Sequence, residues 1–148
     1  MVIIMISDFK NLEGYDDPTA FTAIQNIINR QKIKNRNIVY VCSPLSGNIQ
    51  ANINKAIEYC KFINTKGYIP IAVHLLFSRF LDDGNPAERK RAIDMGLEIL
   101  SRCDELWSFG KKISDGMAIE LKFAQRYQIK IKRFTSCCKT ISQKEVRV

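Results

Sequence analysis

"NIVYVCSPLSGNIQANINKAIEYCKFINTKGYIPIAV", residues 37–73, decides the fold. Its first seven residues are a β-branched and aromatic run suited to a strand. The next stretch places Ile49, Ile53, Ala56, Ile57, Cys60 and Ile63 at helical spacing and stops at Gly67, so it reads as one amphipathic helix. Residues 68–73 return to strand character, with Pro70 favouring an early or edge position because it lacks the N–H of a central ladder. Strand, helix and strand with short connections make a right-handed βαβ unit of a parallel sheet.

The pattern continues downstream. "NPAERKRAIDMGLEILSRC" (85–103) opens with Asn85 as cap, Pro86 at the first helical position and Glu88 in the first turn, then aligns Ile93, Leu97 and Leu100, predicting a helix over 86–102. "DELWSFG" (104–110) reads as a third strand, "SDGMAIELKFAQRY" (114–127) as a helix and "IKIKRF" (129–134) as a fourth strand. The order βαβαβαβ predicts an α/β, doubly wound parallel sheet in a single domain over 37–134. Residues 1–36 stand apart as an N-terminal helical extension: "MVIIMI" reads as an added strand, and "DPTAFTAIQNIINRQ" (17–31) as a helix capped by Asp17 with Pro18 first. Residues 135–148 are a basic tail whose last dozen residues are expected to fray.

At 148 residues and 46% hydrophobic, the chain is the size of one domain with one core. No run reaches the roughly 18 to 20 apolar residues of a membrane span, and "MVIIMI" lacks the basic flank and cleavage site of a signal peptide, so a cytoplasmic protein without membrane attachment is expected. The net charge of +8 belongs to the tail: eight Lys or Arg and one acid follow residue 121, against 15 basic and 14 acidic residues before it. A tail charge keeps a protein soluble or touches nucleic acid. Without interleaved base-reading groups, nucleic acid is not the expected partner. Five cysteines with no CxxC pair and a single histidine argue against a metal site.

Ligands of open parallel sheets bind beyond the carboxyl ends of the strands. That rule collects "CSPLSG" (42–47), His74 and "GKKISDG" (110–116) on one edge. In the helix that follows, Ser114 is placed to cap free amides that attract an anion. Glu120 has Gly116, Met117, Phe123 and Ala124 at the spacings where a surface glutamate usually finds a lysine or arginine. Gly116, one turn above it, leaves room for a ligand. A carboxylate so placed suits a nucleophile at an electrophilic carbon, or is an ordinary helical glutamate.

"VYVCSPLSG", "RCDELWSFG" and "SDGMAIELKFA" resemble the nucleoside 2-deoxyribosyltransferase family, and more narrowly its bacterial and phage branch of domains of unknown function. The resemblance spans residues 37–134, and its most specific element is Ser114, Gly116, Glu120 and Ala124. It implies a flavodoxin-like (Rossmann-like) sheet, no cofactor and no metal, a nucleoside or nucleotide as small-molecule partner, and a homo-oligomer whose neighbouring subunit completes the pocket. It further implies Glu120 as the nucleophile at the anomeric carbon, Tyr40 beside it, and Ser43, Ser46, Gly47, Ser114 and Gly116 around the sugar or phosphate. Ser114 matches the serine that contacts a 5'-phosphate in the deoxynucleotide N-hydrolases of the family.

Two positions depart from the pattern. Ser46 stands where the hydrolases carry a loop arginine, leaving Lys111, Lys112 or Arg79 to supply that phosphate contact. Gly96 stands where the family places an aspartate that assists the leaving base; Asp94 is the nearest acid, and His74 is the alternative proton donor. A nucleotide-binding module without chemistry is therefore the rival expectation. Elsewhere, Trp107 and Cys42 read as core, Asp82 and Asp83 as turn formers before Gly84, and Phe77 and Phe80 as packing residues or a lid in a loop after His74.

Overall fold

The computed structural model describes residues 5–30 and 36–142. The chain divides into two compact units between residues 35 and 36. In the first, the Asp17 carboxylate accepts the N–H groups of Thr19 and Ala20 at 2.9 and 3.0 Å and starts helix α1, Pro18–Arg30. Most of "MVIIMI" lies outside the described residues, and Ile6 opens a short 3₁₀ turn, Ile6–Asp8.

The second unit is a four-stranded, wholly parallel sheet built from β1 (Ile38–Cys42), β2 (Ile69–Ile71), β3 (Glu105–Phe109) and β4 (Lys130–Phe134), in the spatial order β2-β1-β3-β4. The expected doubly wound α/β sheet is thus present, connected by α2 (Ile49–Thr65), α4 (Pro86–Leu100) and α5 (Asp115–Arg126). The caps act as expected: Asn85 accepts from Ala87 and Glu88, and Ser114 accepts from the Met117 N–H at 3.3 Å.

Strand alternation sorts the core into two layers. Val39, Val41, Trp107, Phe109 and Phe134 point toward Tyr59 and Ile63 of α2. Tyr40, Cys42 and Leu106 point to the other face, against Leu100 of α4 and Met117 and Ala124 of α5. Trp107 and Cys42 are both core residues.

Three expectations are corrected. The second strand holds only three residues, with Pro70 in the edge position its missing N–H allows. The segment after it is not a plain loop: Val73–Phe77 forms a short helix, α3, that carries His74. Of the last dozen residues expected to fray, 143–148 lie outside the described residues, and 137–142 are tied back to β4. Thr135 N–H donates to Lys139 and Ile141 N–H to Arg133, and an antiparallel bridge joins Phe134 and Thr140, so the chain turns back along β4. No helix among the described residues is long and apolar enough to cross a membrane.

Candidate functional site

Glu120 projects from α5 into a cavity of about 270 Å³ at the carboxyl edge of β1 and β2. Ser43 from the end of β1, His74 and Phe77 from α3, and Arg89 and Ile93 from α4 are among its walls. The Tyr40 hydroxyl donates to Glu120 Oε1 at 2.8 Å, and this bond joins residues 80 positions apart in sequence. Tyr40 is fully buried; burial, together with the charge of Glu120 and the hydrogen bond to it, drives the phenol pKa well up, so it remains a donor.

Burial pushes the Glu120 carboxyl above its ordinary range, while hydrogen bonding from Cys42 and Tyr40 pulls in the opposite direction. No lysine or arginine among the described residues lies within salt-bridge distance of it. The carboxylate is therefore under-solvated and oriented by a neutral donor, the Tyr40 hydroxyl.

His74 is buried, and Ser43 Oγ lies 3.2 Å from its Nε2. Burial lowers the imidazole pKa to about 4, so at neutral pH the ring is uncharged. The expected proton donor is instead a neutral wall group paired with Ser43.

The structure does not bring every anticipated residue to this cavity. Ser46, Gly47, Ser114 and Gly116 lie outside its lining. Asn52 Nδ2 clamps the carbonyls of Leu45 and Ser46, and Gly47 takes φ +94°, a left-handed conformation that favours glycine. A Cβ on Gly116 would meet nothing within 4 Å, consistent with the open space expected beside α5. Asp94 is exposed on α4 and is not part of the lining, which removes it as an acid for this cavity.

Gly96 gains a different meaning. It is buried, and a Cβ there would sit 3.0 Å from the Tyr40 hydroxyl. Glycine lets α4 approach the Tyr40–Glu120 pair, and the position has no room for an acidic side chain unless Tyr40 moves.

Asp82, Asp83, Glu88 and Arg89 form a polar wall opposite, and the sequence had shown Asp82 and Asp83 only as turn formers. They do form the turn, since Asp82 Oδ1 accepts from Gly84 N–H at 2.8 Å, and they also face the cavity. Phe77 lines the cavity, and its ring contacts the exposed Phe80 edge-to-face at 5.9 Å. Among the described residues no cluster of His, Cys, Asp or Glu is arranged to hold a metal ion.

Residues 37–134 match a family model described as "Domain of unknown function (DUF7768)". No curated protein matches the chain. Among solved structures, the chain is similar to a 2-deoxyribosyltransferase from the psychrotolerant bacterium Bacillus psychrosaccharolyticus, described as a biocatalyst for the industrial synthesis of antiviral and antitumoral nucleosides. The two are 16% identical with a TM-score of 0.55 over 71% of this chain and 77% of that one, a likeness of fold.

Proposed function

The chain belongs to the DUF7768 family, and from that premise we propose that it cleaves or transfers the N-glycosidic bond of a 2'-deoxyribonucleoside or its 5'-monophosphate, with Glu120 as nucleophile. The observation that carries this reading is the Tyr40–Glu120 pair at 2.8 Å, with the carboxylate facing a cavity and having no cationic partner among the described residues. The fold shared with a 2-deoxyribosyltransferase supports it.

In this mechanism a Glu120 carboxylate oxygen attacks the anomeric carbon. The carbon–nitrogen bond breaks, and the base departs with the electron pair and takes up a proton. Water or a second base then attacks the same carbon, the ester bond to Glu120 breaks, and the carboxylate is regenerated. Tyr40 orients the nucleophile and stabilises its charge when it is restored. Ser43 and the neutral His74 present hydrogen-bonding groups to the sugar. Asp82, Asp83 and Glu88 offer acceptors to the amino groups of a base.

Incubating the protein with the four deoxynucleosides and their 5'-monophosphates, with and without a second free base, tests the reading by chromatography. Base released or exchanged by the wild type and not by Glu120→Gln is the expected result. Release that persists in Glu120→Gln removes Glu120 as nucleophile.

One observation favours a second reading, a nucleotide-binding module without chemistry: Gly96 supplies no acid to the leaving group, and general acid help is worth roughly 10²- to 10⁴-fold. Calorimetric binding of a nucleotide with no product after long incubation supports that reading, and accumulation of free base sinks it.

A further inference from the structure

The cavity that holds Glu120 carries an excess of acid. Four carboxyl groups, those of Asp82, Asp83, Glu88 and Glu120, face it, with Arg89 as the cation among its lining residues, 4.0 Å from Asp83. The three wall carboxylates are set as acceptors. Asp82 Oδ1 takes the Gly84 N–H, Glu88 takes the Asp82 N–H, and Asp83 faces the Arg89 guanidinium. Of these partners only Arg89 cancels charge, so the wall stays negative at short range, where Coulomb forces are strong.

The same cavity lacks a proton donor suited to a leaving base. Gly96 has no side chain, and Asp94 lies outside the lining. His74 is buried, and burial lowers its pKa to about 4, so at neutral pH it neither protonates a base nor offsets the carboxylates. A neutral base that leaves with the bonding electrons becomes an anion. Here that anion would form beside carboxylates with no acid to quench it, forfeiting help worth roughly 10²- to 10⁴-fold.

A base that is positively charged before cleavage meets neither obstacle. We propose that the cavity takes a nucleoside whose base is a quaternary heteroaromatic cation, a pyridinium or an N-alkylated purine, recognised by Asp82, Asp83 and Glu88. The cleavage rests on the function proposed above. The recognition of the cation rests on the acidic wall. As a Glu120 oxygen bonds to the anomeric carbon, the carbon–nitrogen electron pair moves onto the ring nitrogen and cancels its charge. Anion and cation become a neutral ester and a neutral base, and no proton is needed; water then hydrolyses the ester and one proton goes to solvent. A step that removes charge gains from the same burial that disfavours the free Glu120 carboxylate. Phe77 adds an aromatic wall, a favourable neighbour for a planar cation.

Two probes that differ in charge and nearly match in shape separate recognition from chemistry. Calorimetry on the wild type should show the N-methylnicotinamidium cation binding at least about tenfold more tightly than neutral nicotinamide, the scale of one short-range charge contact. Added salt should shrink that preference. The double variant Asp82→Asn, Glu88→Gln keeps an amide oxygen for each backbone bond while removing both charges, and should abolish it. Base release is then compared for nicotinamide 2'-deoxyriboside, N7-methyl-2'-deoxyguanosine and neutral 2'-deoxyguanosine, each above its rate without protein. The wild type should favour the cations, and the double variant should lower kcat/KM for them relative to deoxyguanosine at least about tenfold. Release from one cation alone supports the proposal and narrows it to that ring.

Equal binding of the cation and nicotinamide by the wild type overturns the proposal whether or not the double variant folds, and so does a cation-to-neutral ratio that the folded double variant leaves unchanged. If the cation is preferred and the double variant loses the preference, but no nucleoside releases base, the cation site stands and the catalytic reading fails. If both proteins cleave deoxyguanosine as well as the cations, catalysis stands and the cationic base fails.

Discussion

Two glutamates, one on each face of the sheet, are treated in opposite ways. Glu105, at the start of β3, is 4% exposed on the aromatic face. Trp107 Nε1 donates to it at 2.6 Å, and the ammonium groups of Lys132 and Lys130 lie at 3.2 and 3.5 Å. Burial works against its charge, but these partners outweigh burial and hold the carboxyl below its usual range. Lys132 also sits 4.7 Å from the centre of the Trp107 ring. Glu120, on the opposite face, has the Tyr40 phenol as its hydrogen-bond donor, and burial prevails. A carboxylate whose lone pairs are all answered stabilises the fold, whereas one left short of partners is available for chemistry, at some cost to the fold.

The largest expected effect separates the two directly. Glu120→Gln should lower base release by a factor on the order of 10⁶, the scale seen when a nucleophile is removed, without lowering the melting temperature. Because its folded-state carboxyl is shifted up, ionised Glu120 costs stability as pH rises through that raised value, and the amide removes this cost. If Glu120→Gln unfolded more easily than wild type at neutral pH, the contrast between the faces would collapse.

His74 belongs with Glu120, as a group held against its preference. Its pKa falls from 6.5 to about 4, so the folded protein resists protonation while the unfolded chain accepts it. Stability is present above pH 6.5 and is lost as pH falls toward 4, by about 3 kcal/mol at about 1.4 kcal/mol per pH unit. As this is the chain's only histidine, urea titrations of wild type and His74→Gln across that range isolate the effect. The variant should lack this part of the acid destabilisation, and parallel curves would refute it.

Glu105→Gln should cost about 1–3 kcal/mol through the weakened bonds to Trp107 and Lys132, while base release below the melting transition continues. Smaller effects are expected around Glu120. Tyr40→Phe should slow base release roughly 10- to 100-fold, the worth of one hydrogen bond to a charged group. The acid limb of the rate profile should already lie above the usual carboxylate range and should move higher still in this variant, because a bond favouring the ionised form is gone. Gly96→Ala should reduce the rate about fivefold by pressing on the Tyr40 hydroxyl. Its melting temperature should barely change, since alanine also favours the helix.

The strands and helix starts were the most legible parts of the sequence. β-Branched and aromatic runs mark the strands, and caps such as Asn85 and Ser114 mark helix starts within a residue. The short α3 was hidden because five residues give no room for a helical period. Residues 135–142 looked like a charged tail because a backbone bridge to β4 leaves no pattern in side chains.

At the site, Glu120 stood out by its missing partners, and the resemblance pointed to Tyr40. The contact of Gly96 with Tyr40 was invisible, since nothing local records which strand a helix glycine faces. The acidic wall was hidden too: Asp82 and Asp83 satisfy turn chemistry, and only the packing of α4 shows that they also border the cavity.

The most direct test is to quench a reaction with a deoxynucleoside or its 5'-monophosphate in acid within the first turnover and map the peptides by mass. A deoxyribosyl ester on the α5 peptide at Glu120, absent from Glu120→Gln, is the predicted result. Base released at full rate with no ester at Glu120 would contradict the covalent mechanism and return Glu120 to the same structural role as Glu105.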